Sequence, residues 1–132
     1  MKFGVFYEHQ LPRPWTDSSE HQLMKQSLDQ IALADQLGYD YAWEVEHHFL
    51  EEYSHSSAPE VFLAAASQRT KNIRLGHGII QLTTNHPARV AEKVSTLDLV
   101  SDGRVELGLG EGSSVTELHP FNLRFRDKRD IW

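Results

Sequence analysis

Apolar positions along the chain switch repeatedly between two periods. Phe3 to Tyr7 is short, apolar and β-prone, which predicts a strand. After a polar loop holding Pro12 and Pro14 the spacing changes: Leu23, Leu28, Ile31, Ala32, Ala34 and Leu37 fall on one face of a helix that begins near Ser19. Asp17 with Glu20 three residues on has the form of a capping box, and Gly38 is the predicted stop. A second unit follows, with a strand from Tyr41 to Val45, a polar loop from Glu46 to Ser57 and a helix opening at Pro59. Val61, Phe62, Ala64, Ala65 and Ala66 give that helix a packing face of mostly small residues. The third unit has a strand from Ile73 to Leu82, a loop from Thr83 to His86, and a helix from Pro87 carrying Val90, Ala91, Val94, Leu97 and Val100, ended by Asp102-Gly103. A fourth strand spans Arg104 to Leu109; its loop runs on through Pro120, and a fourth helix begins near Asp127.

Strand starts near Phe3, Tyr41, Ile73 and Arg104 recur at roughly the length of a βα unit, and right-handed crossovers turn such units into a parallel sheet of class α/β. Two architectures compete: an open doubly wound sheet, or the first four units of a TIM-type (β/α)8 barrel, which takes about 250 residues when complete. With 132 residues, positions 1–132 read as one domain, the N-terminal half of a barrel cut off inside its fourth helix. Half a barrel would leave strands one and four unpaired, so the expectation is a piece of a longer protein or a homo-oligomer that covers both edges.

Alternation places Arg74, Gly76 and Gly78 on one face of strand three, and Glu106, Gly108 and Gly110 on one face of strand four. If those faces line a barrel, Arg74 and Glu106 meet as an ion pair at the closed end, while the glycines clear a chamber for a flat, large ligand at the open end. Ile73, Leu75, Val105, Leu107 and Leu109 then face the helices.

Charge narrows the functional classes. Thirteen Lys plus Arg against nineteen Asp plus Glu give a net charge of −6, with no basic footprint for nucleic acid. No apolar run approaches a membrane span and no signal peptide is visible, so the expected location is cytoplasmic. The absence of cysteine excludes thiolate metal sites and cysteine nucleophiles. Any chemistry must come from His, carboxylates, hydroxyls or a cofactor.

No Gly-x-Gly-x-x-Gly turn follows strand one, which argues against a Rossmann nucleotide site. Gly108-Leu109-Gly110-Glu111-Gly112 could let backbone amides approach an anion, or could equally be glycines making internal room. Glu46-His47-His48-Phe49 is the sharper feature, because it sits at the carboxyl end of strand two, where parallel α/β folds build their sites. A His there can act as acid, base or hydrogen-bond donor. The alternatives are a solvated polar loop, or a metal site of Glu46, His47, His48 and His86, against which stands the divergence of adjacent histidines on an extended chain.

Taken in order, Met1-Lys2-Phe3-Gly4, Trp43 with Glu46-His47-His48-Phe49, Ile73-Arg74-Leu75-Gly76, Asn85-His86-Pro87-Ala88-Arg89-Val90-Ala91-Glu92, and Asp98 through Ser101-Asp102-Gly103-Arg104 resemble the bacterial luciferase-like flavin monooxygenase family across almost the whole chain. The resemblance implies a (β/α)8 barrel binding reduced flavin, FMN or in some branches a deazaflavin, which reacts with oxygen to oxidise a small organic substrate or passes a hydride. It implies His47 as the active-site histidine, Gly78-Ile79 as a cofactor contact where the family often carries a non-proline cis peptide, and Gly110-Glu111 as a second cofactor contact. Glu111 stands where many members have an arginine for the flavin phosphate, and a carboxylate would repel that group. A flavin reductase is an implied partner. The competing expectation from another class is a noncatalytic flavin-binding or subunit-like protein on the same scaffold.

Overall fold

The structure, a computed structural model, describes residues 1–132. Four strands, β1 (Gly4–Tyr7), β2 (Tyr41–Glu44), β3 (Arg74–Gln81) and β4 (Val105–Gly110), alternate with helices α1 (Ser19–Gln36), α2 (Pro59–Ser67) and α3 (Pro87–Val100). All strand pairs are parallel, and the order across the sheet is β1-β2-β3-β4. A doubly wound sheet reverses direction and places a later strand beside β1. Strictly sequential order is that of barrel units, which decides between the two architectures.

Helices cover one face of the sheet. Leu28, Ile31 and Ala34 of α1, Leu63 and Ala66 of α2 and Leu97 of α3 close on Ala42, Ile73 and Leu75 to form the core. Each Leu or Ile so buried is worth about 1.5–3 kcal/mol. Val61, expected in the α2 packing face, points to solvent instead, and Leu63 takes the core position. Leu107 and Leu109 share a face with the packed Val105 yet stay 47% and 42% exposed, because no helix following β4 lies over them.

The helix ends are set by local chemistry, not always as predicted. Asp17 does not cap α1: Ser18 is the N-cap, the Ser19 hydroxyl takes the Thr16 N–H at 2.9 Å, and Gln22 reaches back to Ser18 Oγ. Gly38 does stop α1, at φ +82°, with Gly38 N–H on Asp35 O and Tyr39 N–H on Ala34 O, the two bonds of a Schellman turn. Asp102 and Gly103 close α3 in the same way. Pro59 and Pro87 open α2 and α3, and His86 caps α3, its Nδ1 accepting the Ala88 N–H.

Ionic groups lash the amino-terminal edge of the sheet together. Asp35, at the end of α1, accepts N–H bonds from Lys71, Asn72 and Ile73 at 2.7–2.9 Å, which fixes the entry to β3. Burial pushes its carboxyl up, but those three amides outweigh it and hold the group below the usual carboxylate range. Arg104 is buried and donates to Ser67 O, Thr70 O, Thr70 Oγ1, Ile73 O and Ser101 O, joining the carboxyl ends of α2 and α3 to the sheet. Arg74 Nε meets Glu106 Oε1 at 2.5 Å, the pair expected from alternation.

Alternation fails farther along β3. His77 pairs with Leu107 but Ile80 pairs with Leu109, so one extra residue is inserted between them. This bulge resets the parity. Ile80 turns into the buried layer, while Gly78, Ile79 and Gln81 all border the opposite side.

Candidate functional site

The carboxyl ends of all four strands surround a cavity of about 400 Å³. Phe6 and Glu8 come from β1 and its end, Val45, Glu46 and His47 from β2, Gly78, Ile79 and Gln81 from β3, and Gly110, Glu111, Gly112 and Ser113 from β4. Every site residue expected from the sequence, His47, Gly78, Ile79, Gly110 and Glu111, therefore lines one space.

His47 is 20% exposed and stands between two carboxylates. Its Nδ1 lies 2.9 Å from Glu117 Oε1, and its Nε2 lies 3.4 Å from Glu8 Oε2. Glu117 belongs to a one-turn helix, α4 (Val115–Leu118), in the segment expected to be loop. His48 turns away, with Nε2 2.9 Å from Glu46 Oε1. Glu46 also accepts from Asn85 Nδ2 at 2.8 Å and from the Gln81 N–H at 2.9 Å. Gln81 Nε2 donates to Glu46 O at 2.9 Å and to Glu117 Oε1 at 3.0 Å. The network closes on itself, which holds both histidines in fixed orientations.

That arrangement separates the residues considered for a metal. His47 and His48 are bound to different carboxylates, His86 caps α3, and no group of three or more His or carboxylate side chains is arranged to hold an ion.

The glycines are occupied rather than open. A Cβ at Gly76 would lie 2.2 Å from the Trp43 indole, which fills the space expected to be clear, and one at Gly78 would meet Phe6 at 3.1 Å. Gly110 admits Ile79, whose Cδ1 would lie 2.7 Å from an added Cβ. Gly112, at φ +70°, admits the Gln81 carboxamide. The chamber is thus smaller than alternation implied and lies at the strand ends only. Gly78–Ile79 is trans; the one cis peptide is Arg13–Pro14.

A flavin can be tested against these groups in two parts. The ring part fits: the cavity is bordered by Gly78, Ile79 and Gly110 and by Gln81 and Glu117, whose Oε1 and Oε2 atoms respectively are buried without a hydrogen-bond partner. The phosphate part does not. Glu8, Glu46, Glu111 and Glu117 face the cavity against Lys128, from the last helix, α5 (Lys128–Ile131). Lys128 Nζ is already engaged by Glu111 Oε1 at 3.0 Å and by Gly112 O at 2.9 Å. Glu111 is also approached by Arg129 Nε at 3.6 Å, so both cations near the cavity are already paired with a carboxylate.

On the helix side of β1 and β2, His9 Nδ1 lies 2.8 Å from Glu44 Oε1, both sealed from solvent, and Ser56 Oγ donates to the same carboxylate. Burial pushes the Glu44 carboxyl up, against the opposing pull of His9 and Ser56.

Sequence reasoning missed Glu8, Gln81, Glu117 and Lys128. Glu8 could have been found, since Gly4, Phe6 and Glu8 continue one alternating face. Gln81 was hidden by the bulge. Glu117 sits in a four-residue helix that leaves no periodic trace.

Comparison with known proteins places this geometry. The model of the luciferase-like monooxygenase family matches residues 1–131. Limonene 1,2-monooxygenase of Rhodococcus erythropolis is 39% identical over 129 residues, covering 96% of this chain and 32% of that protein. The monooxygenase RslO1 of Streptomyces bottropensis superposes with a TM-score of 0.88 at 33% identity, over 98% of this chain and 39% of its own. The oxygenating constituent of 3,6-diketocamphane monooxygenase from Pseudomonas putida, solved with FMN, superposes with a TM-score of 0.88 at 26% identity, over 99% and 36%. A coenzyme F420-dependent reductase of Methanopyrus kandleri, at 26% identity and a TM-score of 0.72, shares the same units. The chain spans about a third of the length of the relatives it matches. Four sequential parallel βα units, a histidine held at their carboxyl edge and a family match from end to end give one conclusion: the chain belongs to the luciferase-like monooxygenase family.

Proposed function

We propose that this chain supplies the His47 half of a flavin-dependent monooxygenase site that oxidises a small organic substrate. The observation that carries the reading is the convergence of His47, Gly78, Ile79 and Gly110 on one cavity whose buried acceptors lack partners. Gly78, Ile79 and the Gly110–Gly112 segment would hold the ring. When bound, reduced flavin supplies the electrons with which oxygen is activated.

The chain's own residues orient and exchange protons. Phe6 and Ile79 give the cavity apolar walls that limit water. His47 Nε2, beside Glu8, is the group placed to take or give a proton at the open side. Support for FMN comes from the diketocamphane enzyme, and for a deazaflavin from the F420-dependent reductase. With Lys128 and Arg129 both paired with Glu111, a phosphate would draw on groups outside residues 1–132.

The test is oxygenation in the protein that carries this chain. Anaerobically reduced FMN is added in excess, air is admitted with a medium-chain aldehyde or a cyclic ketone, and products are quantified by mass spectrometry. Protein-dependent oxygenated product is expected, reduced about 10²- to 10⁴-fold by His47→Ala. Product equal to that of the protein-free mixture contradicts the reading.

A further inference from the structure

Glu117 is the point at which the site network converges. Although it is only 1% exposed, its Oε1 has three nitrogen neighbours: the His48 backbone N at 3.0 Å, Gln81 Nε2 at 3.0 Å and His47 Nδ1 at 2.9 Å. The first is a donor by constitution. The second is also a donor, because Gln81 Nε2 simultaneously bonds Glu46 O, a carbonyl that can only accept. An oxygen receiving two N–H bonds is acting as an acceptor, whether or not its carboxyl carries a proton on Oε2. The third contact therefore requires a proton on His47 Nδ1.

We propose that Glu117 is the positioning residue of the site: it holds His47 in the Nδ1–H form and so makes Nε2, beside Glu8 Oε2, the ring nitrogen that faces the cavity. The geometry explains why a one-turn helix after β4 is built into the site at all. It delivers an acceptor to the buried side of the imidazole, and the same oxygen pins the backbone of the next residue. What His47 Nε2 then acts on rests on the flavin reading above; the tautomer does not.

The test uses the chain labelled with ¹⁵N-histidine, without flavin, with the His47 resonances assigned by their loss in His47→Gln. Long-range ¹H–¹⁵N spectra of the neutral ring are expected to show Nδ1 protonated and Nε2 bare. Glu117→Gln, which keeps an acceptor oxygen, is expected to retain that pattern. Glu117→Leu removes the acceptor and is expected to shift the majority of His47 to the Nε2–H form. In the flavin-loaded protein, Glu117→Leu should lower kcat about 10- to 100-fold with KM for the organic substrate little changed, and Glu117→Gln should restore part of the loss. Nε2–H in the wild-type ring overturns the proposal, and this decides the matter even if Glu117→Leu fails to fold. An unchanged tautomer in a folded Glu117→Leu protein also overturns it. Normal tautomers with no flavin-dependent turnover would leave Glu117 in its role and remove the flavin reading instead.

Discussion

The two ends of the sheet treat buried polar groups in opposite ways. At the amino-terminal edge three charges are matched: Arg104 has five oxygen acceptors, Asp35 three amide donors, and Arg74 a carboxylate. At the carboxyl-terminal edge Gln81 Oε1 and Glu117 Oε2 are buried without partners, and both residues border a cavity. An unpaired buried polar atom costs about 1–3 kcal/mol, so its persistence marks a place where something other than folding decides the residue. One end of the sheet is tied together by paired charges, and the other borders a cavity.

The comparison predicts that substitutions at the first end reduce stability and those at the second reduce binding. Arg104→Leu should cost the most, about 3–5 kcal/mol in urea unfolding, because it strands acceptors at the carboxyl ends of α2 and α3. A loss below about 1 kcal/mol would show that those carbonyls find other donors. Asp35→Ala should cost about 2 kcal/mol by removing one acceptor from three amides.

Asp35 also sets an acid limit. Its folded-state pKa is depressed, so its contribution is complete above the ordinary carboxyl pKa of 3.8 and disappears as pH falls through the folded value. The pKa of His77, a fully buried residue, is depressed as well, chiefly by burial. Its contribution is complete above 6.5 and declines on acidification below that. Stability measured from pH 7 to pH 5 should fall in the wild type and flatten in His77→Leu. Equal slopes would remove His77 as the cause.

At the site end, His47→Ala should change stability by no more than about 1 kcal/mol, since the side chain borders open space, while flavin-dependent turnover collapses. Glu106→Gln should have the smallest effect, below about 1 kcal/mol. Its pair with Arg74 is 37% and 36% exposed, and solvent screens it. A larger loss would mean that the pair carries more of the closed end than its exposure allows.

What could be read from the residues alone follows from the range of each physical signal. Period changes located all four strands, the three long helices and the glycine stops of α1 and α3, because those depend on neighbours within a turn or two. Alternation correctly paired Arg74 with Glu106 near the start of β3, but its count failed after His77, where one inserted residue moved Gln81 to the site. The Glu46-His47-His48-Phe49 segment was legible from its place at a strand end, and the family resemblance singled out His47 within it. Glu117 was not, because what makes it functional is a bond to a residue 70 positions away. The glycine chamber was overestimated because Trp43, a β2 residue, fills the space beside Gly76.

The central claim is that the His47 cavity, and not the sealed His9–Glu44 region behind it, receives the flavin. The most direct measurement is an anaerobic ¹H–¹⁵N titration, with reduced FMN, of the labelled protein that carries this chain. Saturable shifts are expected at the amides of His47, Gly78, Ile79, Gly110 and Gly112, with Asp35, Arg104 and His9 unmoved. The absence of saturable shifts at those five amides, or shifts centred on His9 and Glu44, would contradict the account.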